Sequence, residues 1–499
     1  MTSSRRVLKS LLAFTILALT SCSSAQAKVT LAKIFTDGAI LQKGKPIHIF
    51  GSALPGEVVT VQLGSGVAGQ QVVGKNGRFD VTLPAMTESG PLELKVSGQN
   101  TLLLANIRLG QVWLVAGEGL VHGSMEEELS LDKKWDQPTT ESTMPANMMI
   151  FKQELAIKRS PDRIGSGNPK WIKASDKAAA NYSALAQIFG KTLAENIKEP
   201  VGIIQVSCPD TPLRAWLSEA GLASKGDGRT IQSKFMLDED NYNKLWLDYQ
   251  KNKSAGMAPE LAGLSSGVYN GMLASLVPYA LKGIVFCQGE SDIKAPLDYK
   301  LLLPIFITDI RSRFNQASLP FVYLQLGAQP SQTIDKDNNS EAASIRLTQL
   351  KARVAPRSYM TVSCDLCQED VKKGTIYVSA EDLAKRLAGV TLGAVYSQAK
   401  PYLTPVVEYT EVVGETIKAV FKNAPSGLIC RDKKLKGFAI AGYDHKFFDA
   451  TASLEDLTVY LQSKFVKSPK YIRYAWGNNP RLSLFSEEGM PASPYADDR

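Results

Sequence analysis

Histidine is the scarcest residue type in this chain, with three occurrences in 499 residues: His48, His122 and His445. None lies between residues 123 and 444. An enzyme that uses a serine or cysteine nucleophile needs a base within hydrogen-bond reach, and that base is usually histidine. The long middle of the chain therefore lacks the usual base for nucleophilic catalysis. His48 and His445 fall in predicted β regions, where a surface or structural role is expected.

Cysteine is also sparse, and six residues are too few for a disulfide scaffold; they are Cys22, Cys208, Cys287, Cys364, Cys367 and Cys430. Cys364 and Cys367 have the spacing of a redox pair, but no helix is predicted to start at the second cysteine. A zinc site would need two further ligands. We expect a local disulfide or buried thiols, and we predict neither a metal nor a cofactor.

No hydrophobic run is long enough to span a membrane, which takes about 20 residues. Residues 1–27 have a basic start, a short apolar stretch and small residues, which is typical of an export signal. Ala25-Gln26-Ala27 fits ordinary cleavage, whereas Leu19-Thr20-Ser21-Cys22 resembles a bacterial lipobox that would lipidate Cys22. The lipobox is slightly favoured. We expect an exported bacterial protein, in the periplasm or as an outer-membrane lipoprotein, with membrane contact only through that anchor.

The chain also lacks a strong charge of one sign. The formal net charge is +8, and Arg5, Arg6 and Lys9 lie in the expected signal. So small and dispersed an excess argues against a nucleic-acid partner. The densest basic stretch, residues 431–436, is interrupted by an acid and is interpreted as a solvated turn.

Three regions follow the expected signal. Residues 28–110 contain short strand-like runs separated by turn signals, which predicts a β-sandwich. Residues 111–400 alternate apolar runs with segments of helical spacing, which predicts an α/β domain with a parallel sheet and a polar insertion at 218–262. Residues 401–499 return to strands and are predicted to form a second β domain. The predicted fold class is α/β with flanking β-sandwich-like domains.

Apolar spacing also predicts individual elements. Strands of the α/β region are expected at Val112–Ala116, Val201–Val206, Gly283–Cys287, Pro320–Leu326 and Tyr359–Cys364, and helices at 182–198, 270–281, 297–314, 341–353 and 380–397. Strands of the flanking regions are expected at Pro46–Phe50, Val58–Leu63, Arg78–Leu83, Leu92–Val96, Leu102–Ile107, Ile417–Phe421, Phe438–Ala441, Leu457–Leu461 and Ile472–Trp476.

The strand predicted at Val112–Ala116 ends in Gly117-Glu118-Gly119, and α/β folds place a nucleophile or a phosphate at such a turn. No serine, cysteine or threonine stands there. Ligands of open α/β sheets bind beyond the carboxyl ends of the strands. This turn, residues 207–211, residues 288–292 and the segment from Asp365 are therefore expected to line one polar cleft.

Motifs spread in one order along the chain resemble those of the sialate O-acetylesterases, which are carbohydrate esterases of the SGNH-hydrolase type. They are Gly51 in Ile-Phe-Gly, Val112-Trp113-Leu114, Thr211-Pro-Leu-Arg-Ala-Trp216, Gly267-Val-Tyr-Asn-Gly271, Gln288-Gly-Glu-Ser291, Tyr474-Ala-Trp-Gly-Asn-Asn-Pro480 and Glu488-Gly-Met-Pro-Ala-Ser-Pro494. The resemblance runs from about residue 30 to the end. It implies a flavodoxin-like SGNH-hydrolase domain and a carbohydrate partner, such as an O-acetylated sialic acid or another glycan.

The resemblance further implies which positions differ from a catalytic member. The family's Gly-Gln-Ser turn falls on Gly117, Glu118 and Gly119, so a glycine takes the position of the serine nucleophile. The family's Gly-Gly-Thr block falls on Pro209-Asp210-Thr211, where the carboxylate of Asp210 would oppose the negative charge of a transition state.

The resemblance also assigns two further family blocks to positions in this chain. The family's histidine falls on Tyr377, which cannot act as the same base. The Gln288-Gly289-Glu290 block matches the family and is expected to be intact.

Displaced residues could still supply catalysis. His122 and Ser124 could form a dyad, but two residues apart on a helix they point about 200° from each other. A solvated or capping pair is preferred. Cys208 and Cys287 are better interpreted as small buried residues than as nucleophiles, because no basic neighbour is apparent.

Two other groups have a functional and a structural interpretation. Glu118, Asp210 and Glu290 could cluster, which would raise a pKa or bind a cation, although separate solvated carboxylates are preferred. Trp113 and Trp216 could be sugar platforms, although packing is preferred.

These inferences lead to a hypothesis of an impaired or non-catalytic relative that binds glycans. Its ligand-binding candidates are Gly117, Glu118, Gly119, Asp210, Thr211, Gln288 and Glu290. An active carboxylic ester hydrolase with displaced residues is the first alternative, and a structural or assembly protein is the second.

Overall fold

The computed structural model describes residues 28–134, 144–224, 233, 244, 263–330, 340–370 and 375–498. The expected export signal at 1–27, with Cys22, and most of the expected insertion at 218–262 lie outside these residues.

The N-terminal region is built from short strands, as its turn signals predict. They are β1 (Thr30–Leu31), β2 (Ile40–Gln42), β3 (Ile47–Ser52), β4 (Val58–Leu63), β5 (Val67–Val72), β6 (Arg78–Leu83) and β7 (Leu92–Ser97). Leu94 and Val96 are buried while Glu93 and Lys95 are exposed, which is the half-buried alternation expected from the sequence. The unpredicted β5 contains glycine and two glutamines, so its β propensity is weak.

The next strand, β8 (Thr101–Gly117), joins the N-terminal region to the centre of the molecule. Both strands predicted here, Leu102–Ile107 and Val112–Ala116, are confirmed as strand residues, but they form one continuous strand rather than two. The first half of β8 pairs with β7, and the second half lies in the central sheet. Gly110 lies within this strand. The carbonyl oxygen of Pro200 approaches it so closely that a Cβ would lie 2.2 Å from that oxygen, which explains the glycine.

The central sheet contains, besides β8, the strands β9 (Met148–Lys152), β10 (Trp171–Lys173), β11 (Val201–Ser207), β12 (Gly283–Cys287), β13 (Phe321–Leu324) and β14 (Ser358–Thr361). The order β11–β8–β12–β13–β14 is parallel and matches the 2-1-3-4-5 order of flavodoxin-like folds. All residues of β11, β12 and β13 are buried, as continuous apolar runs in a parallel sheet require. The predicted α/β fold class is confirmed.

The sheet is mixed rather than wholly parallel, which corrects the sequence-based expectation. β9 lies beside β11, and β10 is added antiparallel at the edge. β10 has three residues, so its pattern is too short to signal a strand. The strand predicted at Tyr359–Cys364 ends earlier, at Thr361, because Cys364 already begins a 3₁₀ turn.

Helices cover the sheet. They are α1 (Gly119–His122), α2 (Met125–Lys134), α3 (Ala184–Ile197), α4 (Glu219–Leu222), α5 (Pro296–Arg313), α6 (Glu341–Ala352) and α7 (Ala380–Tyr396), with 3₁₀ helices at Lys177–Asn181, Leu213–Ala215 and Cys364–Leu366. The four long predicted helices 182–198, 297–314, 341–353 and 380–397 are confirmed. No helix in the described ranges is both long and apolar enough to cross a membrane.

The helix predicted at 270–281 is wrong in extent. A π-helical turn, Tyr269–Leu273, is followed by turns. The segment is buried almost throughout, so its apolar spacing does not distinguish a helix from a packed loop. Pro278 also lacks the N–H that a continuing helix would need.

The C-terminal strands are β15 (Gln368–Asp370), β16 (Thr375–Tyr377), β17 (Val406–Val413), β18 (Thr416–Lys422), β19 (Leu428–Cys430), β20 (Phe438–Ala441), β21 (Phe448–Asp449), β22 (Thr451–Glu455), β23 (Thr458–Gln462), β24 (Tyr471–Tyr474), β25 (Leu484–Ser486) and β26 (Tyr495–Ala496). The strands after residue 400 surround a hydrophobic core of their own, whereas the N-terminal strands share a core with one side of the central sheet.

Candidate active site

The candidate site forms where β8 meets its two neighbours, at the point where the strand order reverses. Gly117 ends β8, and its carbonyl accepts a hydrogen bond from Cys208 N (3.0 Å). Gly117 has φ 154°, and a Cβ there would lie 2.0 Å from the carbonyl oxygen of Cys287. Only glycine fits this approach, so the turn is fixed against both neighbouring strands. Ligand sites of open α/β sheets lie at such switch points.

Glu118 follows and is 2% exposed. Its Oε1 accepts a hydrogen bond from Gly289 N (3.0 Å), and its Oε2 accepts one from the Ser291 hydroxyl. Burial, with a smaller contribution from the nearby Glu290 and Asp292 carboxylates, raises the pKa of Glu118 to about 7, against the opposing effect of the two hydrogen bonds. The turn after β8 is thereby tied to the loop after β12.

Glu290 and Asp210 complete an acidic cluster with Glu118. Desolvation by the surrounding protein, followed by the charge of Asp210, raises the pKa of Glu290, although part of the side chain still reaches solvent. Charge effects place Glu290 near Glu118 and Asp210 near Glu290. Glu118 is buried while Asp210 and Glu290 are exposed, so the expectation of separate solvated carboxylates is wrong for Glu118. Sequence spacing could not show this, because the three residues come from separate loops. Within the described ranges, no group of three or more histidine, cysteine, aspartate or glutamate side chains has metal-binding geometry.

A buried hydrogen-bond network lies beneath these carboxylates. Gln288 Nε2 donates to Asp292 Oδ2 (2.6 Å) and to the carbonyl oxygen of Thr211 (3.3 Å). Asp292 Oδ2 also accepts from Leu213 N (2.8 Å), and burial raises its pKa to about 6. Gln288 Oε1 is buried without a hydrogen-bond partner. An unsatisfied buried acceptor of this kind is unusual in a folded protein.

Asp292 and Ser291 were expected to line the cleft, but they were not among the named ligand-binding candidates. The available signal was their position directly after the Gln288-Gly289-Glu290 block. Their roles depend on the loop conformation, which brings Ser291 to Glu118 and Asp292 to Gln288, and sequence pattern does not contain that information.

Gly119 is the exposed first residue of α1, at the position that the resemblance assigns to the serine nucleophile. A Cβ at Gly119 would find a single neighbour, Glu290 Oε2, at 3.6 Å. This is an ordinary contact distance, so a side chain would fit. The contrast with Gly117 shows that packing requires one glycine of the turn and not the other.

Asp210 and Thr211 follow β11 and have different surroundings. Asp210 is exposed and has φ 54°, a left-handed conformation in which glycine is easily accommodated. Thr211 is fully buried; its hydroxyl donates to the carbonyl oxygen of Cys208 (2.7 Å) and accepts from Trp216 Nε1 (3.1 Å). Thr211 therefore shapes the turn, whereas the Asp210 carboxylate faces the solvent side.

The fallback pair of His122 and Ser124 does not form a dyad. Ser124 and Glu127 make a reciprocal capping box at the start of α2: Ser124 Oγ accepts from Glu127 N (3.1 Å), and Glu127 Oε2 accepts from Ser124 N (2.8 Å). His122 is exposed, and its Nδ1 lies 3.5 Å from the hydroxyl of Ser207. The preferred capping interpretation of Ser124 is confirmed.

Tyr377, the residue that the resemblance places at the histidine position, is buried at the end of β16. Its hydroxyl lies 3.5 Å from Glu128 Oε1, which also accepts a hydrogen bond from Ala380 N (2.5 Å). The tyrosine therefore packs against α2, in contact with a buried carboxylate.

The thiols and tryptophans near the cleft are structural. Burial raises the pKa of Cys208 to about 11 and that of Cys287 to about 12, so neither is a thiolate at neutral pH. Cys364 and Cys367 are free thiols rather than a disulfide. Trp113 and Trp216 are fully buried, so the preferred packing interpretation of both is confirmed.

A family model described as a carbohydrate esterase, sialic acid-specific acetylesterase, matches residues 110–390. This is more than half of the chain, and it includes the turn after β8 and the loop after β12. The chain belongs to this family. The matched segment also contains the positions occupied here by Gly119, Asp210 and Tyr377.

Individual relatives agree with the family assignment. The sialate O-acetylesterases of Pongo abelii and Homo sapiens are each 26% identical to this chain over 396 residues, which is 71% of this chain and 68% of the relative. A carbohydrate acetylesterase from Xanthomonas citri, known from a crystal structure, superposes with a TM-score of 0.78. It is 24% identical, and the match covers 94% of this chain and 100% of that one. At that identity the likeness establishes the shared fold.

Proposed function

We propose that this protein is an exported member of the family whose acetylesterase activity is lost or strongly impaired, and that it acts by binding glycans in a cleft at the carboxyl ends of β8 and β12. The observation that carries the proposal is Gly119: the position that the resemblance assigns to the nucleophile has no side chain, although the surrounding space would accept one. A glycine cannot attack an acyl carbon.

The distribution of histidines supports the loss of catalysis. His48 pairs with Asp80 in the N-terminal sheet (3.0 Å), and His445 stacks on Tyr471 in the C-terminal region. His122 is exposed beside Ser207, and Ser124 is used as a helix cap. A histidine base oriented by a third group, as a serine esterase needs, is therefore missing from the cleft.

The charge of the cleft supports the same conclusion. Ester hydrolysis develops an oxyanion that a catalytic site stabilises with hydrogen-bond donors. Here Asp210, Glu118 and Glu290 place carboxyl groups around the turn, and mutual repulsion contributes to the raised pKa values of the two glutamates. An additional negative charge would be destabilised at this place.

The binding part of the proposal rests on the network after β12. Gln288 retains a buried acceptor, Oε1, without a partner, and sugar hydroxyls are suitable donors for it. The related human protein is named for its action on sialate, so an O-acetylated sialic acid is the first ligand to test.

The test has two parts. Purified protein is assayed for acetate release from an O-acetylated sialic acid and from an aryl acetate, and we expect no release above the uncatalysed rate. Glycan binding is measured by array and calorimetry, and we expect Gln288→Ala to abolish it while Ser124→Ala leaves it unchanged. Efficient turnover would overturn the first part. Binding to no glycan would overturn the second and favour a structural or assembly role.

A second candidate function, an ester hydrolase with displaced residues, is favoured by one observation. The Ser291 hydroxyl donates to Glu118, whose pKa of about 7 suits a general base. In this reaction Ser291 Oγ bonds to the acetyl carbon while Glu118 takes its proton, and the sugar alcohol leaves with that proton. Water then hydrolyses the acetyl-serine to acetate. Acetate release that disappears in both Ser291→Ala and Glu118→Gln, and that rises with pH near 7, would identify this mechanism.

A further inference from the structure

The C-terminal sheet β21–β20–β24–β26 presents one face to its own core and the other away from it. Ile440 and its partner Ile472 are fully buried in the C-terminal core. The next residues along each strand point to the opposite face, where Ala441 pairs with Tyr471 and Ala439 with Arg473. Ala441 is fully buried and Ala439 is half-buried, so larger neighbouring side chains cover this part of the face.

Aromatic rings stand along this second face. Tyr443 is 76% exposed and meets Tyr471 edge to face, with 6.5 Å between ring centroids. His445 stacks on the same Tyr471 at 4.4 Å. Farther along, the Arg473 guanidinium lies 3.9 Å from the Phe447 ring and 5.0 Å from the Trp476 ring. We call the set Tyr443, His445, Phe447, Tyr471 and Trp476 the aromatic strip.

A buried ion pair holds the strip in place. Arg473 Nη2 lies 2.7 Å from Asp498 Oδ2, and both side chains are nearly inaccessible. His445 Nδ1 lies 4.0 Å from the same carboxylate oxygen. Because these charged groups are fixed beneath the rings, the rings are preorganised, which lowers the entropy cost of binding a ligand on them.

The residues that follow Trp476 are held by the α/β region. The carbonyl oxygens of Gly477 and Asn478 accept hydrogen bonds from Arg346 of α6 (2.6 and 2.8 Å). Gln329 N, in the segment after β13, also donates to the carbonyl oxygen of Asn478 (2.9 Å). The Trp476 end of the strip is therefore anchored to the α/β region by these hydrogen bonds.

We propose that the aromatic strip binds a carbohydrate chain that carries carboxylate groups. Sugar rings present C–H groups on a face and hydroxyls at the rim, so they match amphipathic rings such as tyrosine and histidine. Lys470 lies 5.5 Å from the centre of the Tyr443 ring, which places a cation beside the most exposed platform and favours an acidic sugar. The inference extends the proposed glycan function to a second contact surface outside the cleft.

The C-terminal region offers a matched control. Phe465 is 64% exposed and has Lys464 over its ring at 4.9 Å, so it is also an exposed ring with a lysine. The Phe465 ring stacks on Phe448. Phe448 pairs with the core residue Ile440 and comes directly after Phe447 in the sequence. Phe448 and Phe465 therefore lie on the face opposite the aromatic strip. Binding caused only by net charge or exposed rings would involve both pairs equally.

The experiment is affinity electrophoresis of the full chain in native gels containing polygalacturonate or neutral dextran. We expect polygalacturonate to retard the protein, dextran to do so much less, and the Tyr443→Ala/Lys470→Ala variant to bind polygalacturonate about tenfold more weakly. The Phe465→Ala/Lys464→Ala variant should bind like the parent. Absence of retardation, equal retardation by dextran, or equal loss in both variants would each overturn the proposal.

A cleft variant separates this proposal from the proposed function. Gln288→Ala is expected to lose small-glycan binding in calorimetry while its retardation by polygalacturonate persists. Small glycans could fail to bind the parent protein while its retardation by polygalacturonate still depended on Tyr443 and Lys470. That result would refute glycan binding in the cleft and support binding by the aromatic strip. If retardation instead disappears in Gln288→Ala, the strip is not a separate surface and the present proposal falls.

Discussion

The turn after β8 and the loop after β12 are joined by hydrogen bonds to Glu118, and they differ in how tightly their side chains are packed. After β12, Gln288 and Asp292 form a buried network in which each polar contact is supported by another. After β8, Gly119 is exposed and a side chain could be added without displacing anything. Packing therefore constrains the loop after β12, whereas it does not require a glycine at position 119.

The largest effect is expected at Gly117. Gly117→Ala places a Cβ 2.0 Å from the carbonyl oxygen of Cys287, so β8 and β12 must separate. We expect the free energy of unfolding to fall by about 3 kcal/mol or more, as for a severe steric clash in a core. Urea unfolding followed by circular dichroism measures the change. A loss below about 0.5 kcal/mol would mean that the tight approach of the strands does not exist.

The next effect is expected at Asp292. Asp292→Ala removes the acceptor of Leu213 N and Gln288 Nε2 and leaves both donors buried, at a cost of about 2 kcal/mol. Asp292→Asn retains an acceptor oxygen and should lose less. The same urea experiment compares the two variants, and equal losses would contradict the hydrogen-bond explanation.

The raised pKa of Glu118 predicts that the stability of the protein depends on pH. Its pKa is about 7 in the folded protein, above the ordinary 4.5, so between these values the folded chain retains a proton that the unfolded chain releases. The contribution of Glu118 is therefore present below pH 4.5 and is lost as the pH rises through 7. Glu118→Gln should flatten this decline and stabilise the protein at pH 8 by on the order of 1 kcal/mol. Unfolding free energies measured from pH 5 to 8 check the slope, and parallel curves would refute the assignment.

The smallest effect is expected at Gly119. Gly119→Ser adds a side chain into open space, and we expect the free energy of unfolding to change by less than about 0.5 kcal/mol. Gly117→Ala is the matched comparison, because it adds a side chain only two residues away at a position where packing leaves no space. Destabilisation of similar size in both variants would show that Gly119 is also a packing requirement.

The central strands and their place in a buried, mostly parallel sheet could be predicted from the sequence. Apolar runs such as Val201–Val206 and Gly283–Cys287 have one plausible place, a buried parallel strand, and the polar residues that follow them must then meet at one edge. The long helices were predictable for a related reason, because their apolar spacing extends over three turns or more.

The rest depends on contacts between distant segments. Gly110 was expected to mark a boundary between regions, yet it lies within β8. Glycine is needed there because Pro200 approaches the strand closely. The hydrogen bond from Ser291 to Glu118 joins residues 173 positions apart, and the burial of Glu118 follows from loop conformation. Local pattern encodes neither feature.

The proposal at the centre of this account is that the turn after β8 does not support ester hydrolysis. The most direct measurement is the rate of acetate release from an O-acetylated sialic acid by the purified parent protein and by Ser291→Ala and His122→Ala. We predict that all three preparations release acetate at the rate of the uncatalysed reaction. Turnover by the parent that disappears in either variant would contradict the claim and identify a displaced nucleophile or base.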